Sequence, residues 1–288
     1  ICNFKLNSIK TMTINCKGQL IDLQTPKVMG ILNITPDSFY DGGSYQADKA
    51  ILNQVDKMLS EGARFIDVGA YSSRPGADDI STDEELKRLI PVLKLLNSKF
   101  GESILISVDT FRSKVAEEAL AHGVAMINDI SAGQLDDNII DVVAKHQVPY
   151  VMMHMKGNPQ TMQSLANYKD VVLEVKSYFS KKIKLLREKG INDIILDPGF
   201  GFAKTIEHNF EMLNKFELFK AFDLPLLCGI SRKSMIYKTL NTSADKALNG
   251  TTALNSLALF KGAKILRVHD VKEAVECVNL ISKMQKQP

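Results

Sequence analysis

"IILDPGFGFAKT", residues 194–205, sets three apolar residues in a row, ends them on the carboxylate of Asp197, and turns at once through Pro198, Gly199 and Gly201. A short apolar run closed by a polar residue and a turn reads as a strand buried on both faces. The same grammar recurs along the chain. Such runs cover 28–34, 65–70, 104–109, 125–130, 150–154, 194–197, 226–230 and 265–269. Between them lie segments whose apolar residues recur at helical spacing, among them "DEELKRLIPVLKLLNSKF" (83–100), "RSKVAEEALAHG" (112–123), "YKDVVLEVKSYFSKKIKLLREKG" (168–190) and "IEHNFEMLNKFELFKAF" (206–222). Eight βα units in roughly 260 residues predict a (β/α)8 TIM barrel over 27–288, whereas a doubly wound sheet of this length uses fewer strands. Residues 1–26 are expected to form an N-terminal extension and a β-hairpin: "MTINCKGQLIDLQ" alternates around a Lys-Gly turn and suits the barrel bottom.

Composition narrows the function. The chain has 288 residues, 45% of them hydrophobic, and no Ser/Gly/Pro-rich linker divides it. Its 36 basic and 33 acidic residues leave a net charge of +3, scattered rather than gathered, so no nucleic-acid partner is expected and an anionic ligand must be met locally. Cys2, Cys16, Cys228 and Cys277 form neither a CxxC pair nor a disulfide framework, which favours a reducing, cytoplasmic setting. "ICNFKLNSIKTM" lacks the apolar centre of a signal peptide, no run approaches the ~20 apolar residues of a membrane span, and Met12 is a candidate start.

The expected strands end on Asn33, Asp67, Asp109, Asn128, His154, Asp197, Ser231 and His269. A buried polar side chain without a partner costs about 1–3 kcal/mol, so eight of them should converge on something that hydrogen-bonds. In a TIM barrel that place is the C-terminal mouth. Asp109, Asn128, Asp197 and Lys233 suit the edge of a flat heterocycle with an N–C–N face, because a carboxylate accepts two parallel N–H bonds from one. Gly199 and Gly201 leave space, and Phe200 and Phe202 can wall the ring. Arg267 and His269 alternate on the last strand and face one anion such as a diphosphate, with Arg74 reaching from the second loop. Each residue alone also fits a duller role: a helix cap or ion pair for a strand-end Asp, a barrel-edge ion pair for Arg267. Asp48 reads as a cap and His154 as a packed residue of the pocket floor, since no second histidine stands at zinc spacing. The long loops 35–48 and 71–82 resemble lids, with Phe39 and Pro75 over a second aromatic substrate and Asn33 and Asp37 as oxygen donors for magnesium.

Taken in order, "GILNITPDSFYDGG", "SSRPGA", "SVDT", "IND", "DPGFGF", "GISRKS" and "RVHD" resemble the motifs of the dihydropteroate synthase family from about Val28 to the C-terminal helix. The resemblance implies a folate-pathway transferase that joins 6-hydroxymethyl-7,8-dihydropterin diphosphate to 4-aminobenzoate by a dissociative substitution. It also implies Mg2+, a homodimer, and sulfonamides as competitors. By motif position, Asp109, Asn128, Ile130, Met153, Asp197, Phe202 and Lys233 would hold the pterin. Asn33, Ser73, Arg74, Arg267 and His269 would hold diphosphate, Asn33 through the metal, and Phe39, Pro75, Ser231 and Lys233 would frame the aminobenzoate. Asp109, Lys233 and Arg267 would act in catalysis. One departure is "AYSSRPG" where the family commonly has "ESTRPG", which puts Tyr71 beside the second loop. The alternative is a barrel of the methyltetrahydrofolate:corrinoid methyltransferase type, which has no need of a diphosphate cluster.

Overall fold

The computed structural model describes residues 11–34, 45–72 and 79–285. Strands β1 (Thr13–Cys16) and β2 (Gln19–Asp22) come first and pair antiparallel. Their turn residues Lys17 and Gly18 have φ of 55° and 80°, the type I′ pattern whose twist suits a two-residue hairpin. Eight barrel strands follow: β3 (Lys27–Asn33), β4 (Phe65–Gly69), β5 (Ile106–Asp109), β6 (Met126–Asp129), β7 (Tyr150–Met153), β8 (Ile194–Asp197), β9 (Leu227–Cys228) and β10 (Ile265–Val268). They run parallel in the order β8-β7-β6-β5-β4-β3-β10-β9. A parallel bridge between Leu196 and Leu226, with Leu196 N–H donating to Pro225 O at 2.9 Å, joins β8 to β9 and all but closes the ring.

The helices are α1 (Tyr45–Ser60), α2 (Thr82–Phe100), α3 (Ser113–Ala121), α4 (Asn138–His146), α5 (Val171–Glu188), α6 (Ile206–Asn214), α7 (Ser234–Tyr237), α8 (Leu248–Phe260) and α9 (Val271–Gln285). Caps fix several starts: Ser81 Oγ accepts from Glu84 N at 3.1 Å and Asp170 Oδ1 from Leu173 N at 2.8 Å. Each helix lays one apolar face on the strands; on α2 it is Leu89, Leu93 and Leu96, each stabilising by about 1.5–3 kcal/mol when buried. A separate apolar layer fills the barrel bottom, where Ile14, Cys16 and Ile21 of the hairpin pack with Met29, Phe65 and Ile195. The hairpin is therefore a plug, as expected.

Three expectations change. The 206–222 segment is not one helix: α6 ends at Asn214 and a 3-10 turn, Phe216–Phe222, takes over, because its three-residue repeat buries both Phe216 and Phe219. The seventh barrel strand is only two residues long, since the chain leaves it before Gly229. Asp48 lies within the first turn of α1, where a carboxylate meets the positive end of the helix dipole, rather than at the cap position.

Candidate active site

The strand ends meet around one guanidinium. Arg267 of β10 donates through Nε to Asp67 Oδ2 at 2.6 Å and through a terminal nitrogen to Asp109 Oδ2 at 2.7 Å. Asn128 Nδ2 donates to the same Asp67 oxygen at 3.0 Å. Burial pushes the Asp109 carboxyl up to about 7; Arg267 opposes this, while the neighbouring Asp67 charge adds to it. Burial disfavours charge on Arg267 too, but the two carboxylates outweigh that and hold it above its ordinary value. Across Gly229, Asp197 and Arg267 face each other: a Cβ there would lie 4.0 Å from Asp197 Oδ2 and 3.9 Å from Arg267 Cβ.

The stretch after β8 builds the facing wall. Gly199 has φ 73° and donates its N–H to Asp197 Oδ1 at 2.7 Å, aiming that carboxylate. A Cβ on Gly199 would stand 2.1 Å from His154 O, so the position needs both the left-handed backbone and the missing side chain. Lys233 Nζ donates to Phe200 O and lies 4.6 Å from the centroid of Phe202. Burial brings its amine down to about 8, with Asp197 as the main opposing charge. Burial likewise raises Asp197, against the pull of Lys233.

Beneath this wall sits an unexpected lysine. Lys204, 4% exposed, donates to Phe202 O at 2.9 Å, Gly199 O at 3.0 Å and His154 Nδ1 at 3.0 Å. The His154 carbonyl lies 3.3 Å from the same nitrogen, so four acceptors surround it, while burial lowers its pKa well below the lysine range. Burial also drives the His154 ring down to about 2, so it stays neutral and accepts. His154 packs edge-on against Tyr178 at 4.9 Å and is a buried support, as expected.

On the seventh and eighth strand ends, "SRK" and "RVHD" are tied together. His269 N–H donates to Ser231 Oγ at 3.2 Å, and the Ser231 hydroxyl meets His269 Nδ1 at 3.0 Å. Arg232 forks onto Asp270 with bonds of 2.9 and 2.5 Å. Asn33 ends β3, and a Cβ on Gly69 would touch both Asn33 Oδ1 and Asp109 Cβ at 3.6 Å. Among the described residues no three His, Cys, Asp or Glu cluster for a metal. Asn33 Oδ1 is nonetheless an oxygen donor at the mouth, the type a magnesium ion shares with substrate phosphates.

Ile130, Met153 and Phe202 form one apolar cluster with Met155 and Met162 at the mouth. Phe200 does not wall the pocket: its ring is fully buried outside the barrel, stacked on Phe216 at 6.1 Å, and only its carbonyl serves the site. Phe39, Ser73, Arg74, Pro75 and Asp37 lie outside the described residues. Tyr71, just before them, packs edge-on to Phe111 at 5.2 Å, and its hydroxyl accepts from Gln160 at 3.2 Å. Arg112 stacks on both rings and binds the buried Glu85. Sequence reasoning missed Lys204 and Arg112, and took Asp67 only as a strand end.

Fold and site together define a pterin-binding barrel enzyme: the pterin binding enzyme family matches residues 29–269. A dihydropteroate synthase of Escherichia coli (strain K12) is 42% identical over 272 residues, covering 94% of this chain and 95% of its own. A Yersinia pestis dihydropteroate synthase solved with a sulfonamide drug superposes at a TM-score of 0.89 with 40% identity, over 96% of this chain and 100% of that one. A Xanthomonas albilineans dihydropteroate synthase solved with 4-aminobenzoic acid also gives 0.89, with 36% identity and coverages of 96% and 100%. The chain belongs to the dihydropteroate synthase family and is a transferase of folate biosynthesis. The methyltransferase alternative is not favoured, since these end-to-end relatives are synthases.

Proposed function

We propose that this chain condenses 6-hydroxymethyl-7,8-dihydropterin diphosphate with 4-aminobenzoate, releasing 7,8-dihydropteroate and diphosphate. The observation that carries the reading is the meeting of Asp109, Asn128, Asp197, Lys233 and Arg267 at one barrel mouth, in a chain 42% identical to a synthase over 272 residues.

The pterin edge would donate N–H bonds to Asp197 and Asp109, with Lys233 meeting a ring acceptor and Ile130, Met153 and Phe202 enclosing the ring. The pterin CH2–O bond breaks with its electron pair leaving on diphosphate, and the electron-rich ring delocalises the cation, with ionised Asp109 offsetting the charge. Arg267, His269, and Ser73 and Arg74 of the second loop would hold the departing anion. A magnesium ion, when bound through Asn33, would neutralise charge on that diphosphate. The neutral arylamine of 4-aminobenzoate, framed by Phe39, Pro75, Ser231 and Lys233, then forms the C–N bond and gives its extra proton to diphosphate or water. Sulfonamides would compete for this second subsite; a sulfonamide occupies the Yersinia pestis relative. Pairing into a homodimer is supported by Leu257, Phe260, Leu280 and Met284, exposed by 38 to 72% on the neighbouring helices α8 and α9.

A coupled assay for diphosphate release tests the reading. Release that depends on 4-aminobenzoate and falls on adding a sulfonamide is the expected result; release indifferent to 4-aminobenzoate would overturn it.

A further inference from the structure

Asp67 sits in the middle of β4 with no exposure, yet it reaches two side chains from distant strands. In the sheet order, β6 lies two strands to one side of β4 and β10 two strands to the other, and one oxygen, Asp67 Oδ2, accepts from Asn128 on the first and Arg267 on the second. A carboxylate only accepts, so Asn128 must turn its NH2 toward it. The Asn128 Oδ1 is thereby left as the acceptor end of the amide. Arg267 is fixed in the same way: Nε is committed to Asp67 and one terminal nitrogen to Asp109, so the plane of the guanidinium is set before any ligand arrives.

We propose that Asp67 is a positioning residue that sets the hydrogen-bond polarity of the pterin pocket, making Asn128 an acceptor and orienting Arg267. The inference rests on the mouth being the pterin site. It also explains why a buried carboxylate, costly in an apolar strand, stands between Ile66 and Val68.

The second oxygen makes the claim testable. Asp67 Oδ1 and Ser107 Oγ occupy paired positions on β4 and β5, and both are buried with no partner among the described residues. An Asp67→Asn side chain can therefore keep its accepting oxygen at the Oδ2 position and place its NH2 beside Ser107, whereas Asp67→Ala removes the acceptor altogether.

Titration calorimetry with 6-hydroxymethylpterin on the wild type, Asp67→Asn and Asp67→Ala decides it, with kinetics for 4-aminobenzoate alongside. The Ala variant should lose about 100-fold or more in pterin affinity, the Asn variant should stay within about tenfold, and the KM for 4-aminobenzoate should move less than about threefold in Asp67→Asn. Equal pterin affinity in all three proteins, or equal large losses in both variants, overturns the proposal. If Asp67→Ala does not fold, the Asn variant still decides: the Arg267 Nε–H resonance should remain protected from solvent exchange as in the wild type, and its loss counts against a shared acceptor. A wild type that fails to bind pterin would instead remove the reading of the site itself, a separate outcome.

Discussion

Placing a methyl group at Gly199 should damage this protein more than placing one two residues later, at Gly201. Both glycines have positive φ, 73° and 81°, so alanine at either pays a left-handed backbone penalty of about 1–2 kcal/mol. Their surroundings differ. At Gly199 the new Cβ would lie 2.1 Å from a backbone carbonyl, His154 O, which is fixed by β7 and by Lys204. At Gly201 the nearest atom is Lys233 Cδ at 3.1 Å, part of a flexible side chain that can swing aside. Overpacking against fixed structure adds about 1–3 kcal/mol, so Gly199→Ala should cost about 2–5 kcal/mol and Gly201→Ala about 1–2. In differential scanning calorimetry the first should lower the melting midpoint by roughly 5–15 °C and the second by a few degrees. Pterin titration separates the two further, because Gly201→Ala displaces the Lys233 amine while leaving the Asp197 anchor in place. A melting midpoint of Gly199→Ala equal to or above that of Gly201→Ala would refute the reasoning.

Arg267→Ala leaves Asp67 and Asp109 with no guanidinium between them, and breaking a buried pair of this kind costs about 3–5 kcal/mol. Urea denaturation should show that loss at pH 7 and a smaller one at pH 5, where Asp109, raised to about 7, takes up a proton; equal losses at both would argue that the pairing does not matter. The affinity for an uncharged pterin should be highest between pH 7 and 8, since Asp109, raised to about 7, must be ionised and Lys233, lowered to about 8, must be protonated. Asp109→Asn should abolish the acid limb of that profile and keep the alkaline one, and a wild-type affinity flat from pH 6 to 9 would contradict it.

The strands were legible because each is an apolar run closed by a polar residue, and β8 begins and ends where the run "IILD" does. The barrel follows from their number. What joins them is not written locally: Asp67 and Arg267 are 200 residues apart, and their contact depends on the last strand, β10, pairing beside the first barrel strand, β3, which also pairs with β4. Asp67 therefore looked like one more strand end. Lys204 was hidden for another reason. In "FAKT" it reads as a surface lysine, and its burial comes from the backbone before it, where Gly199, Gly201 and Ala203 all take positive φ and fold the loop carbonyls inward. The break after Asn214 arises similarly, from where Phe216 and Phe219 find Phe200 and Phe179, not from helix propensity.

The two shifted groups at the mouth also bear on why the free site is poised for its ligand. Asp109 has a folded pKa raised from 3.8, so its contribution to stability is complete below that value and is lost as pH rises through about 7. Lys233 has one lowered from 10.5, so its contribution is complete above that value and is lost as pH falls through about 8. Near neutrality both groups carry the charge that burial opposes, and the empty fold is at its least favourable with respect to them. A planar ligand offering N–H donors to the carboxylates and an acceptor to the ammonium supplies the partners that water supplied in the unfolded chain. Binding is thus coupled to relief of a desolvation cost already built into the barrel, which is why recognition should be strongest in the pH range where these residues contribute least to stability.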